Sequence, residues 1–237
     1  MSAELSVCWS VNALAYTGRH VEGIRRSAEA AGSYRGAGLP GRGGHERRRV
    51  PRARAAAVRS LARPLIRALE DCGDEAGLGT QILLVPTREL VSPESLIART
   101  SINRMAGFTT MPPRDIASFL PQDGFEPPEG PFYLVVEPHT GTCYINREPD
   151  VARKLIDSDE RLPLTLEEGL AIATQHPEWL LEKNGFNLLG SRSADGRVPS
   201  IWMSQNAPRL GAVWPNSRHT WLGNAYCVAR RGVSLFR

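Results

Sequence analysis

Cysteines able to pair are missing from this sequence. The four present, Cys8, Cys72, Cys143 and Cys227, stand far apart and form no Cys-x-x-Cys, which argues against a zinc ribbon or a disulfide framework and leaves reduced thiols as the expectation. Missing too is any run near the ~18 apolar residues that a membrane-spanning helix needs. Residues 5–16 are mildly apolar, but Glu4 and no basic residue precedes them, so they do not read as a secretory leader and a cytoplasmic location is expected. Lysine is nearly absent: of 29 cationic residues only Lys154 and Lys183 are lysines. Arginine in such excess suits forked recognition of phosphate or carboxylate; codon bias in a GC-rich genome explains it more simply. Catalytic motifs are the last absence. No phosphate loop is present, and Ser191 lies between Leu189 and Ser193 where a Gly-x-Ser-x-Gly elbow would place glycines. His139, Cys143, His176 and Cys227 match no zinc spacing, so no metal or cofactor is expected.

What is there is a chain of 237 residues whose 41% apolar content is enough for a buried core. Its net charge of +4 is uneven: residues 1–75 carry 13 Arg against 8 acids, and residues 76–237 carry 16 cations against 17 acids. Residues 17–54 are rich in Gly, Ala, Arg and Ser, with Arg47, Arg48, Arg49, Arg52 and Arg54 close together and few large apolar side chains. Such a segment cannot offset its chain entropy by burial, so residues 1–54 are expected to be a basic, disordered segment. A basic arm can hold nucleic acid through phosphates, yet Tyr34 is its single aromatic between residues 17 and 54, which gives base stacking little support. Residues 55–80 read as an amphipathic helix and a linker. Residues 81–237 read as one α+β domain, mostly antiparallel, with flanking helices and a Trp-rich C-terminal meander.

Within that domain residues 81–86 are an apolar run expected as a buried strand. Ser92 and Pro93 supply an N-cap and first-turn signature for a helix reaching about Ile102. The proline-rich residues 111–130 read as a long connection without regular structure. Residues 132–137 and 142–146 read as a hairpin about Pro138–Gly141, and residues 148–156 as a short helix. Thr165 and Glu168 form a capping box opening a helix that Pro177 ends, with Asn184 and Gly185 as its left-handed close. Strands are then expected at 186–191, 198–204, 209–214 and 220–230.

Three of the five tryptophans, Trp202, Trp214 and Trp221, fall in this last stretch. His219, beside Thr220 and Trp221, is the best candidate acid or base, a role imidazole suits near neutral pH; a ring that merely fixes the corner is the plainer reading. Arg192 and Arg209 could hold an anionic group by forked hydrogen bonds if they share a sheet face. Trp202 and Trp221 could stack on a ligand, although aromatics there serve equally as core or interface.

The motifs Pro163-Leu164-Thr165-x-x-Glu168-Gly169, Leu189-Gly190-Ser191-Arg192, Val198-Pro199-x-Ile201-Trp202, Ala207-Pro208-Arg209-Leu210-Gly211 and His219-Thr220-Trp221-Leu222-Gly223 resemble an uncharacterised actinobacterial family, the domain of unknown function numbered 5701. The resemblance runs from about Gln81 to Cys227 and implies a bacterial, cytosolic protein, with no established activity to carry over. Two features depart from the pattern: the basic front, and Gly211-Ala212, which lacks an aromatic after the glycine. The reading is thus a non-catalytic domain that binds a small ligand or a protein through its Trp-rich sheet. The alternatives are a small-metabolite enzyme using His219 with Arg192 or Arg209, and nucleic-acid binding through the arginine-rich arm.

Overall fold

The computed structural model describes residues 81–180 and 185–233, so the arginine-rich segment, the helix expected near 55–70 and Asn184 lie outside the described residues. The first half runs β1 (Ile82–Pro86), α1 (Pro93–Ile97), β2 (Ser101–Ile102), β3 (Met105–Ala106), β4 (Phe108–Thr109), α2 (Pro113–Ser118), β5 (Leu120–Pro121) and β6 (Phe132–Val136). The second runs α3 (Pro149–Ser158), β7 (Leu162–Pro163), α4 (Leu166–Gln175), β8 (Gly185–Asn187), β9 (Ser191–Arg192), β10 (Val198–Ser204), β11 (Ala207–Val213), β12 (Leu222–Asn224), β13 (Tyr226–Cys227) and β14 (Ala229–Gly232). Helices and mostly antiparallel strands are mixed, the α+β class expected.

β6 is the centre of a three-stranded antiparallel sheet, flanked by β1 and β14. Its sequence is apolar at every position and buried at every position, as a strand covered on both faces must be. β1 is an edge, and its outward backbone groups need partners. Gln175 supplies them: its Nε2 donates to Leu84 O at 2.7 Å and its Oε1 accepts from Leu84 N at 3.3 Å. A side chain on α4 thus stands in for a missing strand.

α4 is the hub. Nine of its ten residues are buried, and it packs on β1, α1 and β10. The expected capping box is present, with Glu168 Oε2 accepting from Thr165 N at 2.7 Å. That carboxylate also takes Arg230 of β14, through Nε at 2.5 Å and Nη2 at 2.8 Å, and Arg230 Nη2 donates to Pro163 O at 2.9 Å. Beside it, Glu167 Oε1 pairs with Arg88, whose Nη2 reaches Phe119 O. Burial raises the Glu167 carboxyl above its usual range, with Arg88 opposing that shift.

The second sheet has five strands in the order β12-β8-β10-β11-β4. Its centre, β8-β10-β11, is the antiparallel meander that was expected; β12 and β4 are added at the edges in parallel. One face of it, with Phe186, Ile201 and Leu210, joins the main core. The other face carries Val198, which packs with Ala152 and Ile156 of α3, Tyr144 and Leu189 into a smaller core.

Five expectations are corrected. The helix from Pro93 ends at Ile97, because Thr100 Oγ1 takes Ile97 O at 2.7 Å and the chain folds into the β2–β3 hairpin through Asn103 and Arg104, both at positive φ. Residues 111–130 contain α2 and β5: Pro113 is a first-turn proline rather than a breaker. Residues 142–144 form a 3-10 turn and not the return of a hairpin, since β6 finds both of its partners elsewhere. The single strand expected at 220–230 is divided among β12, β13 and β14, which belong to three sheets, and Gly185 lies within β8.

Candidate functional site

In a sheet, residues directly opposite each other on neighbouring strands project to the same face. Trp202 lies opposite Arg209, and Arg209 lies opposite Phe108. Two residues back on the same face, Ser200 lies opposite both Asn187 and Gly211, and Asn187 opposite Asn224. This face therefore has three zones. Val198 and Val213 lie under α3. A polar ladder follows, in which Ser200 Oγ donates to Asn187 Oδ1 at 2.7 Å, Asn187 Nδ2 to Asn224 Oδ1 at 2.9 Å, and Asn224 Nδ2 to Tyr144 O at 2.9 Å. Beyond it lie Trp202, Arg209 and Phe108, each only partly buried.

The ladder explains why the middle zone is closed. Asn187, Ser200 and Asn224 are buried, and each amide or hydroxyl is matched across a strand, so none is left to pull the sheet open. The Trp202 indole leans over Gly211, where a Cβ would come within 2.1 Å of the ring. A side chain at 211 would lift the indole from the sheet; its absence lets the ring lie down.

Around Trp202 the rings and cations are arranged in a row. The Arg209 guanidinium is 5.3 Å from the Trp202 ring centroid and 5.8 Å from that of Phe108, a cation over electron-rich faces. Trp221 meets Trp202 edge to face, with centroids 6.0 Å apart and planes at 70°. His219 meets Trp221 at 5.5 Å and 66°. The loop bearing His219 is tied down at the start of α3: Asn146 N donates to His219 O at 3.0 Å, Arg218 pairs with Glu148, and Asp150 N donates to Pro215 O at 3.2 Å.

Two nitrogens in this row stand out. Arg209 Nε and His219 Nε2 are both out of contact with solvent, and neither has a hydrogen-bond partner among the described residues. Among the described residues Arg209 is otherwise held only by Thr110, whose Oγ1 accepts from Nη2 at 3.0 Å, and by the two rings. No carboxylate pairs with it among the described residues. Arg88, Arg153, Arg192, Arg197, Arg218 and Arg230 all have one.

Four of the five residues expected from the sequence, His219, Trp221, Trp202 and Arg209, thus form one contiguous group. Arg192 is engaged elsewhere: it lies on β9, its Nη2 pairs with Asp150 at 2.5 Å and its Nη1 donates to Gly196 O at 3.4 Å, with Nε unpartnered. Phe108 and Thr110 were not foreseen. They lie some hundred residues upstream, Phe108 on an edge strand of two residues and Thr110 just after it, and no local pattern links them to Arg209.

The other candidates have structural roles. Ser191 is fully buried, and its Oγ accepts from Leu166 N at 3.0 Å. His139 stacks on Tyr226 and His176 on Trp179. No group of three or more His, Cys, Asp or Glu able to hold a metal ion occurs among the described residues, and no described helix is long and apolar enough to cross a membrane.

No curated protein and no solved structure matches the chain. A family model does, and its match begins at residue 41, well before the stretch around Gln81 where the resemblance was expected to start. The strands, the ladder and the Trp–Arg row all lie within that span, and the chain belongs to the Family of unknown function (DUF5701), matched over residues 41–233.

Proposed function

We propose that this chain is a binding domain whose ligand seats on Trp202 and Trp221 at the half-buried end of the five-stranded sheet. The observation that carries the reading is the asymmetry of one sheet face. Its Val198 end is covered by α3 and its middle is closed by a satisfied polar ladder, whereas its Trp202 end holds partly buried rings beside two unpartnered nitrogens. A buried donor without a partner costs ~1–3 kcal/mol, and aromatic side chains with a polar group within reach are characteristic of ligand seats. The test is ligand-observed NMR on a metabolite collection, with the full chain and with W202A. Binders lost in W202A, with the thermal midpoint little changed, support the reading; binders indifferent to W202A, or none at all, sink it.

A second reading rests on His219 Nε2, which has no hydrogen-bond partner among the described residues, imidazole nitrogens being common general acids and bases. It makes the same face the substrate site of an enzyme on a small metabolite. A compound that is consumed by the wild type, and is bound but not consumed by H219A, would establish it; equal consumption by both would end it.

A further inference from the structure

Among the described residues Arg209 is the cation that contacts Trp202, and its surroundings are unlike those of the paired arginines. It is partly buried, lies over two aromatic rings, donates one hydrogen bond to a neutral hydroxyl and has no carboxylate partner among the described residues. Its Nε, the inner donor of the guanidinium fork, is shielded from solvent and unmatched. Ring faces attract the cation but do not neutralise its charge or accept its in-plane N–H groups. What the site lacks is an acceptor that lies in the guanidinium plane and carries negative charge, as a carboxylate or phosphate oxygen does.

The neighbouring rings say what such an anion would be attached to. Trp202 and Trp221 meet at 70° and so form a corner rather than a flat wall. A corner takes a compact planar group, and the Arg209 guanidinium stands 5.3 Å from the centroid of one of its two walls, Trp202. From this, and resting on the reading that this face is a ligand seat, we infer that the ligand is a small planar ring bearing an anionic group, with the ring against Trp202 and Trp221 and the anion held by Arg209. Carboxylate and phosphate share this chemistry.

Isothermal titration of the full chain with matched probes tests the inference and separates the two sources. Benzoate is compared with benzamide, adenosine 5′-monophosphate with adenosine, and acetate and inorganic phosphate are titrated alone. At least one ring-bearing anion is expected to bind about tenfold or more tightly than its neutral counterpart, and the ring-free ions are expected to bind more weakly than either. The pair showing the preference identifies carboxylate or phosphate. R209Q is expected to abolish the preference, bringing the charged probe's affinity down to about that of its neutral counterpart, R209K to restore part of it, and W202A to weaken both members of the pair. Neutral and charged members binding alike, or a preference that survives R209Q, overturns the anion and leaves the seat standing. Ring-bearing probes that all fail at millimolar concentration overturn the ligand class, and the metabolite screen with W202A then judges the seat by itself.

Discussion

Two glycines show how differently a single methyl group should act in this fold. At Gly141 φ is +69°, and a Cβ would come within 1.8 Å of the Asn224 carbonyl oxygen, a backbone atom inside β12. Neither the backbone angle nor the obstacle can yield easily, so G141A is expected to cost several kcal/mol, roughly the upper range for overpacking and strain combined. At Gly211 the obstacle is the outer ring of Trp202, which can swing outward. G211A is therefore expected to cost less, about 1–2 kcal/mol, and to show its effect in tryptophan fluorescence as the indole lifts from the sheet. Urea melts of both variants check the order; equal costs would mean that the Trp202 ring is as fixed as backbone. The residue types of the site were legible in the sequence, but their pairing was not. Trp202 faces Arg209 because Gln205 and Asn206, both at positive φ, close a two-residue turn. Gln-Asn is a weak turn signal beside Asn-Gly, and starting the second strand at 209 instead of Ala207 hid the register. Cysteine reactivity is a second matter for this scale. Cys143 is exposed, whereas burial, aided by Glu168, pushes the Cys227 thiol up to about 12. Iodoacetamide at mildly alkaline pH should label Cys143 and spare Cys227 in the native protein, as read by peptide mass spectrometry. Labelling of both would show that the β13 region opens.

α4 is where element-scale stability is concentrated. The sequence announced its start through Thr165 and Glu168 and its end through Pro177, and both hold because those signals are local. It did not announce that Glu168 has a second partner 62 residues away, since nothing local distinguishes a cap from a buried ion pair. The Glu168 side chain is 0% exposed and that of Arg230 is 7% exposed, so removing either leaves a charge in the interior without its partner. Each single variant, E168M or R230M, is expected to lose ~3–5 kcal/mol. The double variant removes both charges and should lose less than either single one, about 1–2 kcal/mol, part of it the lost cap. A double-mutant cycle by urea denaturation gives the coupling directly; single-variant losses that simply add would mean that the pair is not coupled and that α4 is held by its apolar face alone.

At the scale of the molecule, the α+β class followed from composition and punctuation, but the arrangement of sheets did not. β12 joins β8, and β4 joins β11, by parallel pairings across long separations, and β14 returns to a sheet that begins at Ile82. Apolar alternation marks a strand without naming its neighbour. Where the sheets meet α4, two buried acids, Tyr133 of β6 and Cys227 of β13, are held neutral. Burial, together with the nearby Glu168 carboxylate, raises the Tyr133 hydroxyl well above its ordinary value of 10.0 and the Cys227 thiol from 9.0 to about 12. For an acid raised by folding, the native state keeps a proton that the unfolded chain has already released, so stability is full below the unfolded value and falls as pH rises toward the folded one. For Cys227 the window runs from about 9 to about 12. The urea midpoint of the wild type should therefore fall with pH across that window. In C227A one titrating group is gone, so the midpoint starts lower because a buried thiol has become a methyl group, but it falls less steeply. The remaining slope is shared by Tyr133, Tyr144 and Tyr226, whose hydroxyls folding also raises, and should flatten further in the C227A/Y133F double variant. Lines that stay parallel across this series would mean that the alkaline limit of the fold is set elsewhere.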